Sequence, residues 1–316
     1  MDDIAVGAML ASTLRVSTPL ILCALAGTLA ERSGVIDLGL EGKMLGAAFA
    51  AGCVGAWTAS LPLALLAALS VGIALSMLHG FACVSHRGDQ VVTGMAITMT
   101  MAGLTVVLGI AWFRQGGQTP PLPDAARLAP WFAQASASVG GVAGLGLLGH
   151  VGIVYLALGL VPALWWLLFR TRFGLRLRAA GENPAMVDAA GVSIVRLRYA
   201  ALAGNGVLAA LAGAYLVLAQ NPGFIPNMTA GRGYMALAAM IFGKWHPVGA
   251  LGACLLFGFL DAAAIRLQGA PLPLIGTVPV QFMQALPYLM TVVLLAGFVG
   301  RARAPKALGV PYVKER

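Results

Sequence analysis

Charge is what this sequence has least of: only 10% of its 316 residues are Asp, Glu, Lys or Arg, against about 25% in soluble domains. No polar stretch is longer than residues 114–148, which excludes a soluble domain carried on an anchor. Cysteine is scarce too. Cys23, Cys53, Cys83 and Cys254 all lie in apolar runs, without a CxxC pair or metal-ligand spacing. They read as small buried hydrophobes and carry no information about redox compartment. Catalytic signatures are missing. The nearest approach to a Walker A loop, Asp37 to Met44, lacks the first glycine and ends in Met, and neither HExxH nor GxSxG occurs. His79, His86, His150 and His246 are scattered at the ends of apolar runs, so no metal site and no catalytic residue are expected. A basic leader is lacking as well, since Asp2 and Asp3 stand where a cleavable signal peptide needs positive charge.

What is present is apolar surface. Hydrophobic residues make up 59% of the chain, in repeated runs of 18 residues or more, each long enough to cross a bilayer as a helix. Lipid offers an open backbone no hydrogen-bond partner, so the expected fold is all-α and polytopic. Nine transmembrane helices are predicted, at 9–30, 36–57, 61–84, 90–113, 149–169, 195–219, 230–243, 248–267 and 279–299. The seventh is short for a full crossing. The net charge of +9 is read as basic cytoplasmic loops, not as a nucleic-acid surface. Loop 170–198, placed inside, brings 31–35, 85–89, 244–247 and the tail 300–316 to the same side, with nearly all the loop Lys and Arg. The N-terminus and loop 114–148 are then outside and the C-terminus cytoplasmic. Residues 1–316 form a single transmembrane domain on this reading.

Two stretches carry the functional expectations. Loop 170–198 holds six arginines and a compact helix signal: Asn183 to cap, Pro184 at the first helical position, and Gly191 to close the end. Met186, Val187 and Ala190 fall on one side of that helix, which is too short to stand alone in water and calls for a partner surface. In residues 27–46, Glu31, Arg32, Asp37, Glu41 and Lys43 interrupt two apolar runs. Ionisable groups at membrane depth face protein or water, so a broken or late-starting helix is expected here, with Asp37 and Glu41 lining a passage. Glu41 is expected to line it or to pair with Lys43 or Arg32. Asn205, Thr93, Thr98, Thr100, Gln281 and Gln284 are further candidates for the lining.

The run RAAGENPAMVDAAGVS resembles the coupling loop of the membrane subunits of ABC importers for simple sugars, nucleosides and branched-chain amino acids. ERSGVIDLGLEGKMLGAAFAAG and GRGYMALAAMIFGKWHPVGALGACLLFGFLDA are similar to two further stretches of that family, with Asp37 where Asn is common and Val192 where Ile is common. TLRVSTPLIL, starting at Thr13, resembles the beginning of the short permease of nucleoside-type systems. The resemblance implies an importer permease for nucleosides or related purine or ribose compounds. Gly181, Glu182, Asn183, Pro184, Met186, Val187, Ala190 and Gly191 would then meet the ATPase. It further implies an ATPase with two nucleotide-binding halves that holds ATP and Mg, a second and longer homologous permease, an external substrate-binding protein, and surrounding membrane lipid. No cofactor is expected on this chain. An ion-coupled secondary transporter of a small polar solute is the alternative, disfavoured because no internal repeat is visible and the basic loop has no use in that scheme.

Overall fold

The computed structural model describes residues 3–132, 136, 141–267, 271–272, 276–277, 285, 289 and 303–313. The principal helices are α1 (Asp3–Arg32), α2 (Leu40–Thr58), α3 (Leu61–Gly80), α4 (Gln90–Phe113), α5 (Gly141–Leu147), α6 (Gly152–Arg170), α7 (Arg172–Glu182), α8 (Pro184–Ala189), α9 (Ile194–Tyr215), α10 (Arg232–Phe242) and α11 (Pro247–Leu267). Wider π turns extend α3 through Phe81–Ser85 and α9 through Leu216–Gln220. A two-residue pairing, Pro271–Leu272 with Gly276–Thr277, is the one ladder among the described residues.

Local chemistry sets many of these boundaries. The Asp89 carboxylate accepts from the Val92 amide at 2.9 Å to open α4, and Arg114 closes it at a φ of 55°. Pro19 inside α1 has no N–H for the Arg15 carbonyl four residues back. That carbonyl instead accepts from Gln220 Nε2 at 2.8 Å and Tyr215 Oη at 3.2 Å, which ties the end of α9 to α1.

Among the described residues, six helices are long and apolar enough to cross a membrane: Ala5–Arg32, Leu61–Ser85, Gln90–Phe113, Gly152–Arg170, Ile194–Gln220 and Pro247–Arg266. The core follows from how deeply each is covered. Ile194–Gln220 buries 78% of its most apolar window and lies inside, whereas Gln90–Phe113 buries 17% and offers Val92, Met99 and Val107 outward, as a lipid-facing helix does. The helix α2 falls outside that set of six, and its residues from Leu40 to Phe49 are all buried. It is an interior helix clasped by α3, α9 and α4. Helix α10, with 11 residues, rises about 16 Å, roughly half of a bilayer's hydrocarbon core. The predicted span at 279–299 lies outside the described residues.

Small residues permit the closest crossings. A Cβ on Gly72 of α3 would lie 2.7 Å from the Gly206 carbonyl of α9, and one on Gly206 would lie 2.6 Å from the Gly72 carbonyl. Gly42 and Gly46 of α2 both face α4, where a Cβ on Gly42 would come within 2.6 Å of Thr98 Cα.

Candidate functional site

Between the end of α1 and the start of α2 the chain leaves the helical conformation, and α2 begins at Leu40, four residues later than the predicted start at 36. The reason is a buried polar cluster. Asp37 Oδ1 accepts from the Gly39 amide at 3.1 Å, while Lys43 Nζ donates to Asp37 Oδ2 at 2.6 Å and to Asn205 Oδ1 at 3.0 Å. Asn205 Oδ1 also accepts from Ser76 Oγ at 2.9 Å, and Asn205 Nδ2 donates to the Ala26 carbonyl at 3.0 Å. His79 Nε2 reaches the Ile36 carbonyl at 3.1 Å, and its ring lies 3.8 Å from Asp37. Asp37, Lys43, Ser76, His79 and Asn205 are each fully buried. One cluster therefore joins α1, the break, α2, α3 and α9, and every charge in it is answered within the protein. Its chemistry is that of a lock between helices.

Glu41 does something different. It is 5% exposed, and its two carboxylate oxygens accept from the amides of Gly231 at 2.8 Å and Gly233 at 2.6 Å. These are free N–H groups at the start of α10, so a carboxylate borrowed from α2 caps a half-length helix and meets its positive dipole end. The expected pairing of Glu41 with Lys43 or Arg32 is corrected. Lys43 is held by Asp37, and Arg32 donates from Nε to the Trp245 carbonyl at 2.9 Å, because its guanidinium lies beyond the end of α10. Glu31 accepts from Trp245 Nε1 at 2.5 Å.

At this end of the bundle lies a clasp. A Cβ on Gly181 of α7 would sit 2.4 Å from the Arg32 carbonyl, so only glycine admits that approach. The Ala307 amide donates to the Gly181 carbonyl at 2.8 Å, and the Gly309 amide to the Gly34 carbonyl at 3.2 Å. Arg198, 1% exposed, donates to the Ser33 carbonyl at 3.3 Å and to the Val310 carbonyl at 3.2 Å. Residues 305–310 thus strap α7 to the break after α1. Arg178 lies over the Phe169 ring at 4.6 Å.

The loop expected at 170–198 is mostly helical. Thr171 Oγ1 accepts from the Gly174 amide to open α7, whose Gly174, Leu177, Ala180 and Gly181 are buried. The signal for it, a Thr cap followed by apolar residues at helical spacing, is present in the sequence. The predicted cap of α8 is in place, with Asn183 Oδ1 accepting from the Met186 amide at 3.2 Å and Gly191 at a φ of 77°. The single apolar face is corrected. Val187 is 7% exposed and packs into the protein's own core, while Met186 is 69% exposed. Glu182, Asn183 and Ala190 are exposed beside Met186, Pro184 is half-buried, and Gly181 is buried under the strap.

Among the candidate lining residues, the structure brings Asp37 and Asn205 into direct company through Lys43. Thr93 and Thr98 are half-buried on α4 and return their hydroxyls to the carbonyls of Asp89 at 2.7 Å and Gly94 at 3.1 Å, while Thr100 is exposed. Gln281 and Gln284 lie outside the described residues. Lys43, Ser76 and His79 were not foreseen as one group. The visible signal was Ser76 and His79, one turn apart in an otherwise apolar run.

These helices can be compared with known proteins. A family model described as branched-chain amino acid transport system, permease component, matches residues 9–295. The chain belongs to that permease family. The permease is 38% identical to the guanosine ABC transporter permease protein NupQ of Bacillus subtilis, over 96% of this chain and 95% of that one. It is 35% identical to the nucleoside ABC transporter permease protein NupC of Lactococcus lactis, over 98% and 97%. A Haloferax volcanii protein named for glucose transport, TsgC13, is 34% identical over 96% of this chain and 94% of its own length. In fold, the permease is similar to a solved ABC transporter in an inward-facing conformation, with a TM-score of 0.50 and 16% identity over 92% of this chain and 85% of that chain. The permease is a multi-pass subunit of the cell membrane and works in transport. Hydrolysis of ATP falls to a separate subunit.

Proposed function

We propose that the permease imports nucleosides or related purine or ribose compounds, in partnership with an ATPase of two nucleotide-binding halves, a second and longer permease, and an external binding protein. ATP and Mg belong to the ATPase on this reading, and the permease itself carries no cofactor. Two relatives above 30% identity over nearly the whole chain are named for guanosine and nucleosides, and this observation carries the substrate class.

The geometry supports the coupling step. Helix α8 presents Met186 outward on a helix whose other sizeable apolar side chain, Val187, is anchored inside. Residues Gly181–Gly191, within loop 170–198, are the proposed ATPase contact. A push on α8 reaches α7, and through the Gly181–Arg32 approach and the 305–310 strap it reaches the break that starts α2. The proposed passage runs beside α2, with Thr93, Thr98, Gln281 and Gln284 as lining. Asp37, Asn205 and Glu41 act on it by holding α2, α9 and α10.

The topology is proposed as nine spans in one domain over 1–316, with the N-terminus and loop 114–148 outside and the C-terminus cytoplasmic. Contacts group Arg32, Ser85, Arg198 and Trp245 at one end, and 119–131, His150 and 218–224 at the other, as that alternation requires. The test is uptake of labelled guanosine in cells lacking their own nucleoside importers, with the permease and its cognate partners supplied. Uptake should need an ATPase able to hydrolyse ATP and should be competed by inosine, not by glucose or leucine. Uptake of glucose alone, or guanosine uptake surviving an inactive ATPase, would overturn it.

A further inference from the structure

At the end of the bundle away from the clasp lies a recess of about 990 Å³, walled by α1, α6, α9, α10, α11 and the segments 124–130 and 225–230. Its volume suits a small organic ligand. Arg15, Arg127 and Arg232 line it, against one lining carboxylate, Asp124. Among the described residues no carboxylate lies within ion-pair distance of any of the three. Asp261 of α11 is near enough to Arg232 to feel its charge. Arg232 donates from Nη1 to the Met228 carbonyl at 3.2 Å.

One residue of the recess wall, His150, also carries a buried, unanswered polar atom. His150 is 2% exposed, and its Nε2 faces the Gly146 carbonyl at 3.1 Å. A carbonyl only accepts, so Nε2 carries the proton. With Nε2 as the protonated nitrogen, the neutral ring keeps its lone pair on Nδ1. Nδ1 is then an acceptor, and it has no partner among the described residues. A buried acceptor without a donor is costly and calls for one. Val16, Val151, Val154 and Ile265 add an apolar wall.

Two demands therefore meet in one recess: an anion for the three guanidinium groups, and a hydroxyl donor for His150. We propose that this recess is a binding site for a phosphorylated polyol, held through its phosphate by Arg15, Arg127 and Arg232 and through a hydroxyl by His150. Guanidinium groups suit phosphate oxygens, in shape as well as charge. Two sources offer that chemistry, the phosphoglycerol headgroup of a membrane lipid and a free sugar phosphate. Neither is needed for the import reading, and binding is read here without transport.

The experiment uses the assembled transporter in detergent. One arm measures phosphatidylglycerol retained from mixed micelles with phosphatidylcholine, and the other measures labelled ribose 5-phosphate by equilibrium dialysis. Wild type should bind one of the two. Arg127→Gln with Arg15→Gln should weaken that binding at least about fivefold, since charge-assisted bonds are lost. Asp124→Asn should strengthen it, and His150→Phe should reduce the preference for phosphatidylglycerol over phosphatidate, or for ribose phosphate over inorganic phosphate. Retention of the lipid alone names the headgroup, and binding of the sugar phosphate alone names the soluble source. Equal binding by wild type and the arginine variant in both arms would sink the proposal. So would an arginine variant that loses only the external binding protein, because the arginines would then face acidic protein.

Discussion

A lysine and an aspartate with no exposed surface are the residues on which the interior depends. Removing one charge of a buried pair strands the other, at a cost of ~3–5 kcal/mol. Lys43→Met should therefore lower the melting temperature and yield of the detergent-purified permease, by leaving Asp37 uncompensated beside the Asn205 carbonyl oxygen. Adding Asp37→Leu to that variant should restore part of the loss. No recovery in the double variant, measured by size-exclusion melting curves, would mean that the pair does not behave as a unit. Glu41 offers a second test. Glu41→Gln keeps one acceptor but turns an amide donor toward the other N–H of the Gly231 and Gly233 pair, forfeiting a bond of about 1.5–3 kcal/mol. Thermal stability should fall for Glu41→Gln and further for Glu41→Leu. A melting curve unmoved by either would remove Glu41 as the cap of α10. The sequence showed that these charges had to face protein, since lipid could not hold them. It did not show which met which. Asp37, Glu41 and Lys43 lie within two turns of one another, and their distant partners are His79, Asn205, Gly231 and Gly233, which no local pattern connects.

At the scale of elements, α8 shows what short-range chemistry does and does not reveal. Asn183, Pro184 and Gly191 mark its two ends without ambiguity, because capping and left-handed closure are local requirements. Which side of the helix is already covered depends on α7 and α9, so Met186 and Val187 looked equivalent until packing separated them. The two positions should now respond differently. Met186→Asp should leave the permease folded and its yield normal, while recovery of the ATPase on co-purification drops severalfold and uptake falls with it. Val187→Asp places a charge in the protein's own core, and should lower the yield of the permease itself. Matching behaviour of the two variants in a pull-down that scores both subunits would return α8 to a surface helix with no docking role. Helix α7 was hidden for a related reason. Its arginines read as loop charge, although Phe173, Leu177 and Ala180 fall at helical spacing between them.

For the whole molecule, long apolar periodicity is the most readable feature: the helix ends match the predicted spans at 61–84, 90–113, 149–169, 195–219 and 248–267 within about three residues, while α1 starts at Asp3, well before the predicted 9. The exceptions are informative. Helix α2 is wrapped by other helices and α10 is half a span, because both are arranged around polar groups that hydropathy alone reads as interruptions. Topology remains the global test. A reporter fused after Arg316 should register cytoplasm and one inserted near Pro123 the outside, since nearly all loop Lys and Arg then fall within. Two reporters on the same side would change the number of crossings by an odd count.

The strap at 305–310 sets an order in time. Gly34, Gly181 and Arg198 leave the ribosome well before the Ala307, Gly309 and Val310 groups that bind them. Until those residues emerge, the carbonyls of Gly34 and Gly181 lack the partners they have in the finished protein, and α7 is held to the break by fewer bonds. The proposed ATPase contact at Gly181–Gly191 therefore reaches its final form only after residues 305–310 have emerged.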